Sequence, residues 1–200
     1  GTLTVTNREA KYEITVKANS ATATYDGKEH EAVGVETYEF TVEGNSYTVS
    51  GLSTEDPKQK DAGSYTNNIT GTPVVTDKEG NVVTSEFEVK TENGSLEIGK
   101  AAVTLKSATL SKKYDGNALV NGDTALEIES GFAEGEGATY NFTGSQTVVG
   151  SSANAFSYEL NGNTNIDNYE ISKQEGTLTV TNREAKYEIT VKANSATATY

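Results

Sequence analysis

Residues 1–25, GTLTVTNREAKYEITVKANSATATY, return letter for letter as residues 176–200. Identity over 25 residues does not arise from shared composition, so it fixes the architecture before any local pattern is read. The chain reads as one full 175-residue period of a tandem array plus the start of the next. Arrays of this kind are coupled mainly between neighbours, and each unit must supply or share a small core of its own.

A second, diverged repeat lies inside the period. Tyr25-Asp26-Gly27 recurs 89 residues later as Tyr114-Asp115-Gly116. In the same register Tyr12, Ile14, Val16 and Lys17 match Ala101, Val103, Leu105 and Lys106. Glu43-Gly44-x-x-Tyr47-x-Val49-x-Gly51 matches Glu136-Gly137-x-x-Tyr140-x-Phe142-x-Gly144, and Gly63 matches Gly150. Phe87-Glu88-Val89 and Gly94-x-Leu96-x-Ile98 match Tyr169-Glu170-Ile171 and Gly176-x-Leu178-x-Val180. The order is the same in both halves and only loop lengths drift. This divides the chain into module 1, residues 10–99, and module 2, residues 100–183. Residues 1–9 read as the closing strand of a preceding repeat, and residues 184–200 as the opening strand of the next. With Gly1 first and no Met anywhere, the sequence reads as a piece of a longer protein.

The alternation is that of β-strands. Ile14-Thr-Val16, Val103-Thr-Leu105, Leu178-Thr-Val180, Tyr47-Thr-Val49 and Phe156-Ser-Tyr158-Glu-Leu160 alternate apolar and polar with period two. β-Branched and aromatic residues fill these runs, and Gly, Asn and Asp punctuate them. Asp26-Gly27 and Asp115-Gly116 signal tight turns. Thr72–Thr76 and Val82–Thr84 read as a hairpin around the polar loop Asp77–Asn81. No helical stripe of useful length appears, although short helical turns are expected around Thr54–Lys60 and Asn121–Leu126. The expected fold is all-β: tandem small antiparallel modules, each an immunoglobulin-like sandwich or, alternatively, a β-grasp-like unit with its first and last strands side by side. Asp61-Ala-Gly63-Ser-Tyr65 has the pattern of a tyrosine corner. Short joins at Gly99-Lys100 and Thr181–Lys186 point to modules set end to end as a rod.

Composition removes most chemistries. There is no Cys, Met or Trp, and His30 is the one histidine. A thiol nucleophile, a disulfide and a two-histidine metal site are therefore excluded within this chain. A serine triad would need His30, which sits in the charged run Lys28-Glu29-His30-Glu31. The net charge of −13 disfavours nucleic acid and anionic membrane surfaces. No stretch is apolar for long enough to span a bilayer as a helix. The eleven Tyr and five Phe argue against disorder.

Taken together, Tyr-Asp-Gly after an Ala/Lys-rich strand, Glu-Gly-x-x-Tyr in mid-module and the closing Gly-Thr-Leu-Thr-Val-Thr resemble the YDG/MBG-type repeat modules of large bacterial surface proteins, mainly from gut Gram-positive bacteria. The resemblance covers essentially the whole chain and is closer in module 2. It implies a cell-wall-attached or secreted adhesin-like protein with stacked modules and no catalytic residues. Mucin or glycan binding is implied by association with that family.

Candidate sites are weighed on their residues. Tyr25-Asp26-Gly27 and Tyr114-Asp115-Gly116 read as turns with a packed Tyr, against a ligand platform. Glu134-Gly-Glu136-Gly137 and Asn161–Asp167 carry oxygens suited to calcium but lack an EF-hand ending, and read as solvated loops. Glu127/Glu129 and Glu86/Glu88 place paired carboxylates on one strand face, where no deep cleft for glycoside hydrolysis is expected. Lys17 and Lys106 recur in the opening strand; a Lys–Asn or Lys–Asp crosslink lacks a shared partner in the closing strands, so edge protection is the preferred reading. Exposed Tyr38, Tyr158 and Tyr169 would favour stacking on sugars. No catalytic residue, metal ligand or cofactor is assigned, and ligand-binding residues are left open. The function read from the sequence is a non-catalytic stalk or filament segment on the bacterial cell surface, outside the cell. The alternatives are an avidity-based mucin, glycan or host-protein binder and a spacer in a large secreted enzyme. Its partners would be neighbouring repeats, with self-association through the terminal strands as a further expectation.

Overall fold

In the computed structural model, which describes residues 1–4, 6, 10–122 and 125–200, the alternating runs become strands of small two- and three-stranded sheets. The only helices among the described residues are two 3₁₀ turns, Thr84–Glu86 and Ile166–Asn168. The protein is all-β. Two compact units form: Gly1–Val103 with Gly131–Gly137 and Leu160–Ile171, and Thr104–Ser130 with Ala138–Glu159 and Ser172–Tyr200.

In the first unit the opening strand Tyr12–Lys17 runs parallel to Phe87–Glu92, with Ile14 opposite Val89. The second strand, Ala21–Thr24, runs parallel to the closing strand Gly94–Gly99, whose other edge takes Gly63–Asn67 antiparallel. Period-two alternation turns Ile14, Val16, Leu96 and Ile98 inward, all 6% exposed or less. A second layer comes from Glu39–Val42, Asn45–Thr54 and Ile69–Asp77, paired antiparallel in that order. Its Val49 and Val75 meet Ile14, Val16 and Phe87 to form the core. Tyr12 and Tyr47 pack on the Phe87 ring at 5.6 and 4.8 Å between centroids. Burying each such side chain is worth about 1.5–3 kcal/mol, so this thin core is a substantial share of the unit's stability.

The second unit repeats part of that plan. Leu110–Lys113 runs parallel to Thr177–Thr181, and Gly150–Ala153 pairs antiparallel with the same closing strand. Leu105, Leu178 and Val180 are buried. Phe156 is buried as well, with Tyr140 and Phe142 against its ring and Lys173 Nζ 4.8 Å above it.

Several sequence expectations are corrected. The modules are not purely antiparallel: alternation fixes which face of a strand is buried, while partner and direction depend on where the chain returns. Here the whole module forms the connection between an opening strand and its parallel neighbour. The hairpin expected at Thr72–Thr84 contracts to one bridge, Thr76 to Val82, because on that edge the Val75 amide is taken by the Thr84 hydroxyl and the chain turns into the 3₁₀ turn. Its polar loop does form a tight turn, with Asp77 Oδ1 accepting the Glu79 and Asn81 amides. Thr54–Lys60 contains no helical turn; it leaves one strand, passes Asp56 at φ 52° and enters Lys58–Gln59. Of Asn121–Leu126, residues 123 and 124 lie outside the described residues, and the described ones form no helical turn. Residues 184–200 form no strand although they repeat the sequence of 9–25. Of residues 1–9, those described form no strand either, and 5 and 7–9 lie outside the described residues.

The tyrosine-corner pattern is realised, since Tyr65 Oη donates to the Asp61 carbonyl at 3.0 Å. A tighter constraint sits where each module closes. A Cβ on Gly94 would lie 2.2 Å from the Asn19 carbonyl oxygen, and one on Gly176 would lie 2.2 Å from that of Ala108. Asn19 and Ala108 are themselves equivalent positions of the two modules. Gly94→Ala is therefore expected to destabilise by about 1–3 kcal/mol through overpacking, while Gly162→Ala, with open space around it, should change little. Urea unfolding midpoints of the two variants test this, and equal midpoints would refute the packing argument.

Candidate functional site

The two Tyr-Asp-Gly turns are built alike. Asp26 Oδ1 accepts the Lys28 amide at 2.9 Å and Asp115 Oδ1 accepts the Asn117 amide at 2.9 Å. Such Asx turns satisfy the amide locally, and they hold both carboxyls below the ordinary aspartate range, with Lys112 the leading cause at Asp115. Gly27 and Gly116 take φ of 79° and 85°, the left-handed region that glycine enters without a steric penalty. His30 Nε2 lies 2.9 Å from Asp26 Oδ1, so the one histidine is taken up by the turn itself.

The most enclosed acid in this part of the first unit is Glu136. The sequence placed it in a solvated loop with oxygens for calcium. Its side chain is instead only 7% exposed. Oε1 accepts from Tyr25 Oη at 2.5 Å and Oε2 accepts from Tyr169 Oη at 2.7 Å. The two rings meet edge to face at 5.3 Å, and Phe132 packs on Tyr169 at 5.2 Å. Lys60 Nζ stands 3.9 Å from Oε1. Hydrogen bonds to an ionised acceptor are the strong kind, and burial strengthens them further. Burial foremost, then the Glu136 hydrogen bond, pushes the Tyr25 hydroxyl far above its ordinary pKa. Beside this cluster Asn168 Oδ1 accepts the Ala62 amide and its Nδ2 donates to Asp61, both at 2.8 Å. Each carboxylate oxygen already accepts a hydrogen bond from a phenol, so the arrangement fastens backbone segments together.

Most of the other candidates are engaged by protein partners. Glu127 pairs with Lys106 at 3.2 Å. Burial pushes the Tyr140 hydroxyl up, and the Glu129 carboxylate adds to the shift. Glu86 accepts from Ser85 at 3.2 Å, and Glu88 lies exposed on its strand. Lys17 is surface-exposed and salt-bridged to Glu92 at 2.8 Å. In the run Asn161–Asp167, Asn165 caps the 3₁₀ turn by accepting the Asp167 amide, and Asn163 donates to the Gly135 carbonyl. Among the described residues no group of three or more acidic or His side chains is gathered for a metal. Tyr169 is 2% exposed, and Tyr38 packs against the first unit's core. The three tyrosines whose joint exposure would have favoured sugar stacking thus do not form an exposed set. A surface depression of about 410 Å³ lined by Phe40, Tyr47, Glu39 and Lys78 holds one carboxylate and no pair.

Two buried polar residues escaped the sequence reading. Asn67 and Asn154 are both fully buried, four residues after the matched Gly63 and Gly150. Asn67 Nδ2 donates to the Asn19 carbonyl at 3.1 Å, and Asn154 Nδ2 to that of Ala108 at 2.9 Å. The shared Gly-Ser-x-x-Asn spacing was the available signal. No family model, curated protein or solved structure matches the chain.

Glu136→Ala leaves two buried phenols without their acceptor and should cost about 1–3 kcal/mol, read by thermal or urea unfolding; an unchanged midpoint would remove the cluster from the stability argument. Tyr25 has a raised folded pKa, so its contribution is complete below the unfolded value near 10 and is lost as pH rises through the folded value. Absorbance titration at alkaline pH should show a late-ionising component that shrinks in Tyr25→Phe. Ionisation of all tyrosines together near their ordinary pKa would contradict this.

Proposed function

We propose that this chain is a non-catalytic structural repeat segment of a bacterial surface stalk, filament or adhesin, holding a distal function away from the cell wall. The observation that carries the reading is the use of the repeated motif residues. Tyr25, Glu136, Tyr169, Asn67 and Asn154 are spent on fastening segments of the fold to one another. A repeat that multiplies such fastenings multiplies length and resistance to unfolding. The resemblance to YDG/MBG-type modules supports the same reading, and with it an extracellular location. An acidic, Cys-free surface suits a soluble fibre that resists clumping. The pairing of opening strands with closing strands supports small modules nearer the β-grasp-like alternative in connectivity, with no α-helix among the described residues.

The competing reading is an avidity-based binder of mucin, glycan or a host protein. It loses ground because Tyr169 is buried and Tyr38 is packed on the core. One experiment separates them: proteins of one, two and three 175-residue periods, measured by small-angle scattering and on a mucin and glycan panel. The stalk reading expects the longest dimension to grow by a constant increment per period, with no saturable binding. Binding that tightens steeply with repeat number and falls when Tyr38 or Tyr158 is replaced would overturn it in favour of the binder.

A further inference from the structure

The surface around Tyr25 and its equivalent around Tyr114 differ in one respect. In the first unit the Tyr25 end is covered. Tyr25 is 4% exposed, Ala133 lies 3.0 Å from where a Cβ on Gly27 would stand, and the Ala62 amide is held by Asn168. In the second unit the same places are open. Tyr114 is only half-buried, nothing lies within 4 Å of a Cβ on Gly116, and Val148 and Val149 are 66% and 47% exposed. Counting back from the matched Gly63 and Gly150, Val148 and Val149 stand where Asp61 and Ala62 stand in module 1. A depression of about 490 Å³ opens there, lined by Tyr114, Val149 and Arg183 and, from the start of the following repeat, by Ala185 and Tyr187. Two adjacent exposed valines beside a tyrosine form a local apolar patch, which marks an interaction surface more often than a lone exposed side chain does.

The occupant is written in the sequence. Residues 185–200 repeat residues 10–25, the start of module 1. In their first copy the strands of this segment bury Ile14 and Val16 at 6% and 0% exposure. In the second copy Ile189 and Val191, the identical residues, are 85% and 89% exposed and are not paired with the partner strands of the first copy. Those partners are Phe87–Glu92 and Gly94–Gly99 of the same module. Residues 1–6, by contrast, repeat Gly176–Thr181, the closing segment of module 2, whose strand pairs with Leu110–Lys113 and Gly150–Ala153. The two terminal segments belong to different modules, so direct pairing of one with the other completes neither.

We propose that the Tyr114 end of the second unit is the docking face for a second copy of the residues 10–99 module, joined in line after residue 183. In that copy Glu43 occupies the position of Glu136 in the shared Glu-Gly-x-x-Tyr motif; its Oε2 accepts from Tyr12 Oη at 2.7 Å inside module 1, and Tyr114 meets the same carboxylate as a further donor. Glu86 occupies the position of Asn168. The Asp61–Asn168 hydrogen bond has no counterpart at this joint, since Val148 replaces Asp61. Module 1 also exposes Val82, at 69%, in the loop entering its 3₁₀ turn, and it is this side chain that meets the two valines. The two kinds of joint along the array therefore differ in chemistry: one is polar, and the other is largely apolar.

This inference rests on the stalk reading only in requiring that a further repeat follow. Its test compares the chain as it stands with the same chain continued past Tyr200 by the sequence of residues 26–99, using amide hydrogen exchange. Amides of 112–116 and 146–150 should exchange at least tenfold more slowly in the continued chain, and Val149→Asp in that chain should restore the faster rates while leaving Thr177–Thr181 protected. Unchanged exchange at 112–116 and 146–150, with the added module folded by its own protected strands, overturns the docking face. That failure leaves the stalk reading intact, because a constant length increment per period requires no particular joint. Glycan binding in the panel would instead fail the stalk reading without touching the exchange result.

Discussion

Each module depends on one crossing, where the closing strand passes over the end of the opening strand. At that point Gly94 and Gly176 bring backbone against the carbonyls of Asn19 and Ala108, closer than any side chain allows. The same two carbonyls receive the amides of the buried Asn67 and Asn154. A buried carbonyl must find a donor or its lost hydration is uncompensated. The crossing and the buried asparagine therefore form one device: the glycine admits the close approach and the amide satisfies what it buries. Once it is in place the opening pair lies parallel to the closing pair, and the alternating apolar residues of both face one thin core.

The charges serve a separate purpose. Most acidic groups are on the surface, where pairs such as Lys17–Glu92 and Lys90–Glu13 add little to stability and much to solubility. Glu136 is the exception. Desolvating a carboxylate is costly, and the cost is offset here by two phenol donors aimed at separate oxygens. An acid stripped of water and fully engaged by its own protein is poorly placed for chemistry on a substrate and well placed to fix backbone segments. The Tyr-Asp-Gly turn contributes to the same end, delivering the Tyr25 hydroxyl while its Asp and Gly complete the turn behind it.

Much of this was legible beforehand. The strands around Ile14–Val16, Val103–Leu105 and Leu178–Val180, the two Asp-Gly turns and the tyrosine-corner hydrogen bond all follow from short-range pattern. Asn67 and Asn154 were not legible, although their spacing recurs in both halves, because a buried asparagine cannot be told from a surface one without knowing which carbonyl waits for it. The direction of pairing was not legible. Period-two alternation is the same for parallel and antiparallel neighbours, and the partner of Tyr12–Lys17 lies some seventy residues away. Nor was the role of Glu136, because a Glu between two glycines has the composition of a solvated loop wherever it goes.

The clearest division between sequence and tertiary structure comes from the repeat itself. Residues 12–25 and 187–200 are the same fourteen residues. By itself this sequence determines a strong β alternation, a buried face and a closing turn. It does not determine whether the strands form. The first copy is strand and core, while the second forms no strand and is exposed. A strand has no hydrogen bonds of its own to offer; its ladder and its buried face both come from a neighbour. Local pattern can specify which residues are ready to be buried, but only the tertiary fold supplies the partner strands that bury them.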